Sequence, residues 1–183
     1  MLETERLILR TYKESDIDDY FKYVSNPKIG PMCGWVPYND KQKAFERLKI
    51  EIAKPHQFAI VWKATNQVIG SIELMNTKFE RYPFENIDKN SKEIGFLLSE
   101  EFWGKGIMPE AANKIMQFAF ENLNVPEICI CHAEANKQSK KVQEKLGFQV
   151  IGLLKNHRTW LNGNQTDLIC RKITKEQWQQ KHS

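Results

Sequence analysis

Apolar and polar positions alternate with two different periods along the chain, and the two periods divide it into strands and helices. Leu7, Ile8 and Leu9 between Arg6 and Arg10 read as a short first strand. Ser15-Asp16 then offers an N-cap to a helix carrying Tyr20, Phe21 and Val24, which Pro27 ends. Asn39 or Asp40 caps a second helix through Phe45, Leu48 and Ile52, stopping before Pro55. Residues 57–64 and 68–75 flank Thr65-Asn66-Gln67 and predict an antiparallel hairpin, and 93–99 is a fourth strand. From 109 to 123, Ala111, Ala112, Ile115, Met116, Ala119, Phe120 and Leu123 recur at helical spacing. Residues 128–135 form a fifth strand and 136–146 a helix closed by Gly147, so strand, crossover helix and strand imply a parallel or mixed pair. Residues 148–154 and 166–173 are the last strands, joined through Asn162-Gly163, and Thr174 with Gln177 makes a capping box for a short terminal helix containing Trp178. The fold class is α+β, with about seven strands in a mixed, mostly antiparallel sheet and about four helices.

Two stretches break the periodicity. Residues 26–40 carry Pro27, Gly30, Pro31, Gly34 and Pro37 and are expected to be irregular, displaying Met32, Trp35 and Tyr38 as a binding surface. Residues 76–92 are polar and long enough to serve as a lid or a mobile insertion.

Composition narrows the class. A chain of 183 residues, 41% hydrophobic and 27% charged, fits one soluble globular domain over 1–183, with a core at 2–175. A net charge of +4 from scattered basic residues argues against nucleic acid. Charges interrupt every apolar run, so no membrane span is expected, and the charged start MLETERLILR points to the cytoplasm. Cys33, Cys129, Cys131 and Cys170 lack Cys-x-x-Cys spacing and read as reduced thiols, with Cys129 and Cys131 in the core and no metal.

The chemistry concentrates where the fourth strand ends. In SEEFWGKGIMPEA, Gly104 and Gly106 precede a helix whose first turn holds Pro109. Glycines before a helix N-terminus let unpaired N–H groups wrap an anion, a nest suited to a phosphate or pyrophosphate, and Lys105 adds a charge. Gly106 stands where a P-loop needs Ser or Thr, and Pro109 where a dinucleotide fingerprint needs glycine.

With LETERLILR, EIGFLLSEEFWGKGIMPEA and NKQSKKVQEKLGF, the chain resembles the GNAT superfamily of N-acetyltransferases, in particular its RimJ/RimL-type, ribosomal-protein N-terminal acetyltransferase branch. The resemblance implies that the fourth and fifth strands splay to hold acetyl-CoA. Backbone groups of Phe96, Leu97 and Leu98 would bond the pantetheine arm, and N–H groups of Trp103, Gly104, Lys105, Gly106, Ile107 and Met108 the pyrophosphate. Asn136 would also bind the pantetheine, and Ser139 would lie near the thiol. Trp103 and Met108 depart from the superfamily's usual Gln or Arg and Gly or Ala, as that branch does.

Acetyl transfer to a primary amine by direct attack in a ternary complex needs a base, an oxyanion donor and a proton for the leaving thiolate. The Leu98 amide is the expected oxyanion donor. Gln143 stands where many relatives have an acidic tyrosine, which leaves Ser139. Glu93 ranks first as the base, followed by Glu134 and Glu73, while Cys131 occupies a position often held by Glu. His132 and His157 read as packed or surface residues, and Trp35 and Tyr38 as lining for the acceptor. The acceptor is expected to be a protein N-terminus or a small-molecule amine, with a homodimer left open. The competing expectation is a non-catalytic acyl-CoA-binding module.

Overall fold

Leu7 and Leu9 are fully buried while Ile8 and Arg10 are half-exposed, the alternation of a strand with one covered face. A computed structural model of the protein describes residues 1–182, and the chain divides into two compact units, Met1–Glu73 with Phe96–Lys114, and Leu74–Gly95 with Ile115 onward.

The first unit contains β1 (Leu2–Glu3), β2 (Leu7–Arg10), α1 (Ile17–Val24), α2 (Gly30–Cys33), α3 (Lys41–Ala53) and β3 (Gln57–Trp62). It also holds most of β4 (Gln67–Asn76), the end of β5 (Lys92–Leu98) and the start of α4 (Ile107–Gln117). β1, β2, β3 and β4 pair antiparallel in sequence order. α3 starts at Asp40, whose carboxylate accepts from the Gln42 and Lys43 amides, as its sequence indicates. The core gathers Tyr12, Tyr20, Tyr23, Leu48, Ala59 and Val61. Tyr20 stands edge-on to both Tyr12 and Tyr23, at 5.7 and 5.3 Å between centroids. The Tyr12 and Tyr23 hydroxyls meet at 2.6 Å, and Tyr12 also donates to the Gly70 carbonyl at 3.3 Å, so the buried phenols are satisfied within the core.

The second unit contains β6 (Glu127–Ala133), α5 (Lys137–Leu146), β7 (Gln149–Thr159), β8 (Gln165–Thr174) and α6 (Lys175–His182). β5 and β6 pair in parallel at Lys92 with Ile128 and Glu93 with Cys129, β6 and β8 antiparallel, and β8 and β7 antiparallel. The eight strands of the described residues follow the order β1-β2-β3-β4-β5-β6-β8-β7, a mixed and mostly antiparallel sheet. The capping box appears as its sequence indicates: Thr174 Oγ1 accepts from the Gln177 amide at 3.2 Å and Gln177 Oε1 from the Thr174 amide at 2.9 Å.

Three expectations need correction. β1 is an eighth strand, and the described helices number six rather than four. α2 forms within the stretch expected to be irregular, because Pro31 falls in its first turn, where a missing N–H costs nothing. Residues 76–92 are fastened in place. Tyr82 is 2% exposed, the Asp88 amide donates to Glu127 at 2.8 Å, and Gly152 of β7 lies against the Phe84 ring, where a Cβ would come within 2.0 Å.

Gly70 marks the tightest backbone approach in the first unit. A Cβ there would stand 2.4 Å from the Leu97 carbonyl oxygen, and backbone cannot swing aside as a side-chain tip does. Gly70→Ala is expected to destabilise the protein by about 1–3 kcal/mol, read as a lower urea midpoint at unchanged slope.

Candidate active site

In the first unit, β5 runs into a 3-10 turn at Glu100–Phe102 and then into the loop before α4. Gly104 and Gly106 have φ of +74° and +73°, the left-handed region that glycine enters without steric cost. A Cβ on Gly104 would meet nothing within 4 Å, so backbone conformation rather than lack of room calls for glycine there. Gly104 and Lys105 are exposed and Ile107 and Met108 buried, which turns the loop outward on an apolar footing. α4 begins at Ile107, so Pro109 lies in its first turn, where unpaired N–H groups and the positive helix end favour an anion. These residues fit a pyrophosphate.

Arg6 fixes this loop. Its guanidinium donates to the Lys105 carbonyl at 3.1 Å and pairs with Glu110 at 2.6 Å. The Glu110 carboxylate also accepts from the Thr4 hydroxyl and from the Arg6 amide. Burial opposes ionisation of Glu110, but the bonds from Thr4 and Arg6 outweigh it and hold the carboxyl below its ordinary value. Behind the loop, Trp103 Nε1 donates to the Leu98 carbonyl at 2.8 Å. Leu97 and Trp103 pack against the aromatic core, as do Trp35 and Tyr38. Phe96 is half-buried. The sequence pattern does not reveal Arg6 and Glu110, because their meeting across 104 positions leaves no local signal.

In the second unit, Asn136 is the N-cap of α5, its Oδ1 accepting from the Ser139 amide at 3.0 Å. One helical turn past Ser139, Gln143 is fully buried and its Nε2 donates to Ser139 Oγ at 3.1 Å. Gln143 Oε1 contacts His132 Nδ1 at 2.9 Å. Since that oxygen only accepts, the imidazole donates through Nδ1–H. Its buried Nε2 finds no hydrogen-bond partner among the described residues. Burial lowers the His132 pKa, Gln143 partly offsets this, and the charges of Arg171 and Lys140 lower it further. The ring is thus held neutral. With its oxygen accepting from Gln143, Ser139 directs its own O–H elsewhere.

The carboxylates differ in setting. Glu93 is 4% exposed; its Oε1 accepts from Arg81 at 2.7 Å, and its Oε2 has no hydrogen-bond partner among the described residues. Glu73 is half-buried beside Lys54 at 3.4 Å, and Glu134 and His157 are exposed. Among the described residues, no group of three or more His, Cys, Asp or Glu side chains is arranged to hold a metal ion, and no helix is long and apolar enough to cross a membrane.

Residues 6–149 match the family described as Acetyltransferase (GNAT) domain. The chain is 28% identical over 184 residues to the Uncharacterized N-acetyltransferase p20 of Bacillus licheniformis, with 97% of each chain covered. The acetyltransferase (GNAT family) structure from Bacillus anthracis shares the fold, with a TM-score of 0.83 at 19% identity over 96% of this chain and 98% of that one. Ribosomal-protein-S5-alanine acetyltransferase from Vibrio fischeri aligns with a TM-score of 0.72 at 25% identity, covering 96% and 97%.

Replacing Gln143 removes the one contact that raises the His132 pKa from a side chain within hydrogen-bond reach. In Gln143→Leu the His132 midpoint, followed by NMR of the ring protons, is expected to fall below that of the wild type. Because the folded-state pKa already lies below the ordinary 6.5, the stability His132 contributes is present above that pH and lost as pH falls through the folded pKa. In the variant that loss begins at the same pH and extends to lower pH.

Proposed function

The chain belongs to the GNAT acetyltransferase family and is an N-acetyltransferase, and from that premise we propose that it moves the acetyl group of acetyl-CoA to a primary amine by direct attack in a ternary complex. The observation that carries the cofactor assignment is the left-handed pair Gly104 and Gly106 before α4, steadied by Arg6. We assign the pyrophosphate to the N–H groups of Trp103, Gly104, Lys105, Gly106, Ile107 and Met108, and the pantetheine to the backbone of Phe96, Leu97 and Leu98 and to Asn136. Acetyl-CoA supplies a thioester whose carbonyl carbon accepts the amine.

Each reacting proton has an assigned group. Glu93 takes the proton of the attacking amine through Oε2, its Oε1 remaining on Arg81. The Leu98 amide donates to the oxygen that gains charge as the amine adds. As the carbon–sulfur bond breaks, Ser139, oriented by the amide of Gln143, passes its hydroxyl proton to the departing sulfur and takes one back from solvent water in the same step.

For the acceptor we favour the RimJ/RimL-type reading, a protein N-terminus, with small-molecule amines as the alternative within the same chemistry. Its support is the stretches LETERLILR, EIGFLLSEEFWGKGIMPEA and NKQSKKVQEKLGF and the end-to-end likeness to the ribosomal-protein-S5-alanine acetyltransferase of Vibrio fischeri. Trp35 and Tyr38 are assigned to the acceptor side.

Release of free CoA thiol from acetyl-CoA, measured across N-terminal peptides, polyamines and amino-acid amines, tests the function. Acceptor-dependent release is expected, and binding of acetyl-CoA without release on any amine overturns the catalytic reading. Gly104→Ala and Gly106→Ala force a side chain into left-handed backbone at about 1–2 kcal/mol, so the acetyl-CoA KM should rise about 5–30-fold. Ser139→Ala and Glu93→Gln should each lower kcat about a hundredfold, while Cys33→Ala leaves it unchanged.

A further inference from the structure

Apart from the residues assigned to acyl transfer, the second unit brings two thiols face to face. β6 and β8 pair antiparallel with Cys131 directly opposite Cys170, and the two sulfurs stand 2.8 Å apart. Facing residues of an antiparallel ladder have Cα atoms about 4.5–5.5 Å apart, inside the span of about 4.4–6.8 Å that a disulfide bridges. Closing to a bond of about 2.05 Å takes less than about 1 Å of sulfur movement and leaves the ladder in place. We propose that Cys131 and Cys170 form a modification site, a cross-strand dithiol that hydroperoxides convert to an intramolecular disulfide.

The surroundings single out this pair among the four cysteines. Cys131 is half-exposed and admits a small oxidant, whereas Cys170 is fully buried behind it. The S–H bond from Cys131 holds the Cys170 thiol below its ordinary value against burial and the Glu93 charge, with the Arg81 guanidinium acting alongside it, and the same bond pushes the Cys131 thiol well up, which makes Cys170 the attacking sulfur. Cys129 lies on the same strand, but it faces Lys172, is fully buried, and has its thiol pushed up to about 12 by burial. With Lys172 opposite it, Cys129 has no thiol across the ladder to close with. Cys33 belongs to α2 of the first unit.

The reaction balances with a hydroperoxide as the oxidant. One thiolate sulfur attacks a peroxide oxygen, the O–O bond breaks, hydroxide leaves, and a sulfenic acid forms. The second sulfur then attacks the sulfenic sulfur; the S–O bond breaks, and the departing hydroxide takes the second thiol's proton as water. With hydrogen peroxide the two thiols lose two electrons and the products are one disulfide and two waters. The closed bond ties β6 to β8 at a ladder rung that is already paired. The bond itself involves no atom assigned to acyl transfer, so the bridge can be tested without reference to that reading.

The test treats the full chain with hydrogen peroxide, blocks remaining thiols under denaturing conditions, and maps the bridge by mass spectrometry. The expected result is a mass lower by two hydrogens, two blocked thiols, and a fragment joining 131 to 170 that dithiothreitol releases. Cys129→Ala and Cys33→Ala should keep the bridge, while Cys131→Ser and Cys170→Ser abolish it. A bridge through Cys129, disulfide-linked dimers, sulfinic acid in place of a bond, or four free thiols after oxidation overturns the proposal. The wild-type map alone decides the matter if a variant folds poorly.

Discussion

Arg6 holds the first unit's chemistry in position. One guanidinium spans the Lys105 carbonyl and the Glu110 carboxylate, so the loop with its two left-handed glycines and the first turn of α4 are set from the same side chain. Glycine gives the loop access to its conformation but does nothing to keep it there, since the freedom that admits the left-handed region admits others too. The charge pair supplies what glycine lacks. Thr4 and the Arg6 amide add further donors to the same carboxylate, and the turn between β1 and β2 thereby acts as the jig against which the loop is formed. Trp103 closes the other side, its indole on the Leu98 carbonyl tying the loop back to the strand that leads into it.

In the second unit a chain of neutral buried side chains stands alongside the ion pairs. His132, Gln143 and Ser139 are joined by two contacts of 2.9 and 3.1 Å, and the direction of each follows from what an amide can donate and accept. Nearby, Glu93 keeps one oxygen on Arg81 and the other without a partner, while residues 76–92 are pinned through Tyr82, Phe84 and Asp88. Arg81 belongs to that pinned segment, so the setting of the carboxylate depends on where the segment lies. Lys172 strengthens the tether, reaching both Glu127 at 2.8 Å and the Asn86 carbonyl.

Local chemistry proved readable from the chain, and long-range chemistry did not. Asp40, the Thr174–Gln177 box and the glycine loop are found where the sequence indicates, because caps and turns are decided by residues within a few positions of each other. β1 escapes notice because a strand of two residues makes no period, and α2 because proline reads as a breaker until it falls in a first turn. β7 runs on to Thr159 although 155–159 is polar; Asn156, at φ +50°, donates its amide to Asp167 across an irregularity in the register. Tyr82 hides in a polar stretch, since one anchoring aromatic carries no pattern. The glycine loop of the first unit is visible as types and spacing, and Asn136 and Ser139 of the second only through the family resemblance, whereas Arg6, Glu110 and the link from His132 to Gln143 depend on folding.

Gln143 has one more consequence. An amide carries no charge from acid to alkali, so the orientation it imposes on Ser139 does not change as the surrounding solution is titrated. A phenol in that place would be both proton source and titrating group, and its own ionisation would set an alkaline end to the working range. On the proposed reading those two duties would be separated, since the proton would come from the Ser139 hydroxyl while its aim is governed by a side chain that never ionises.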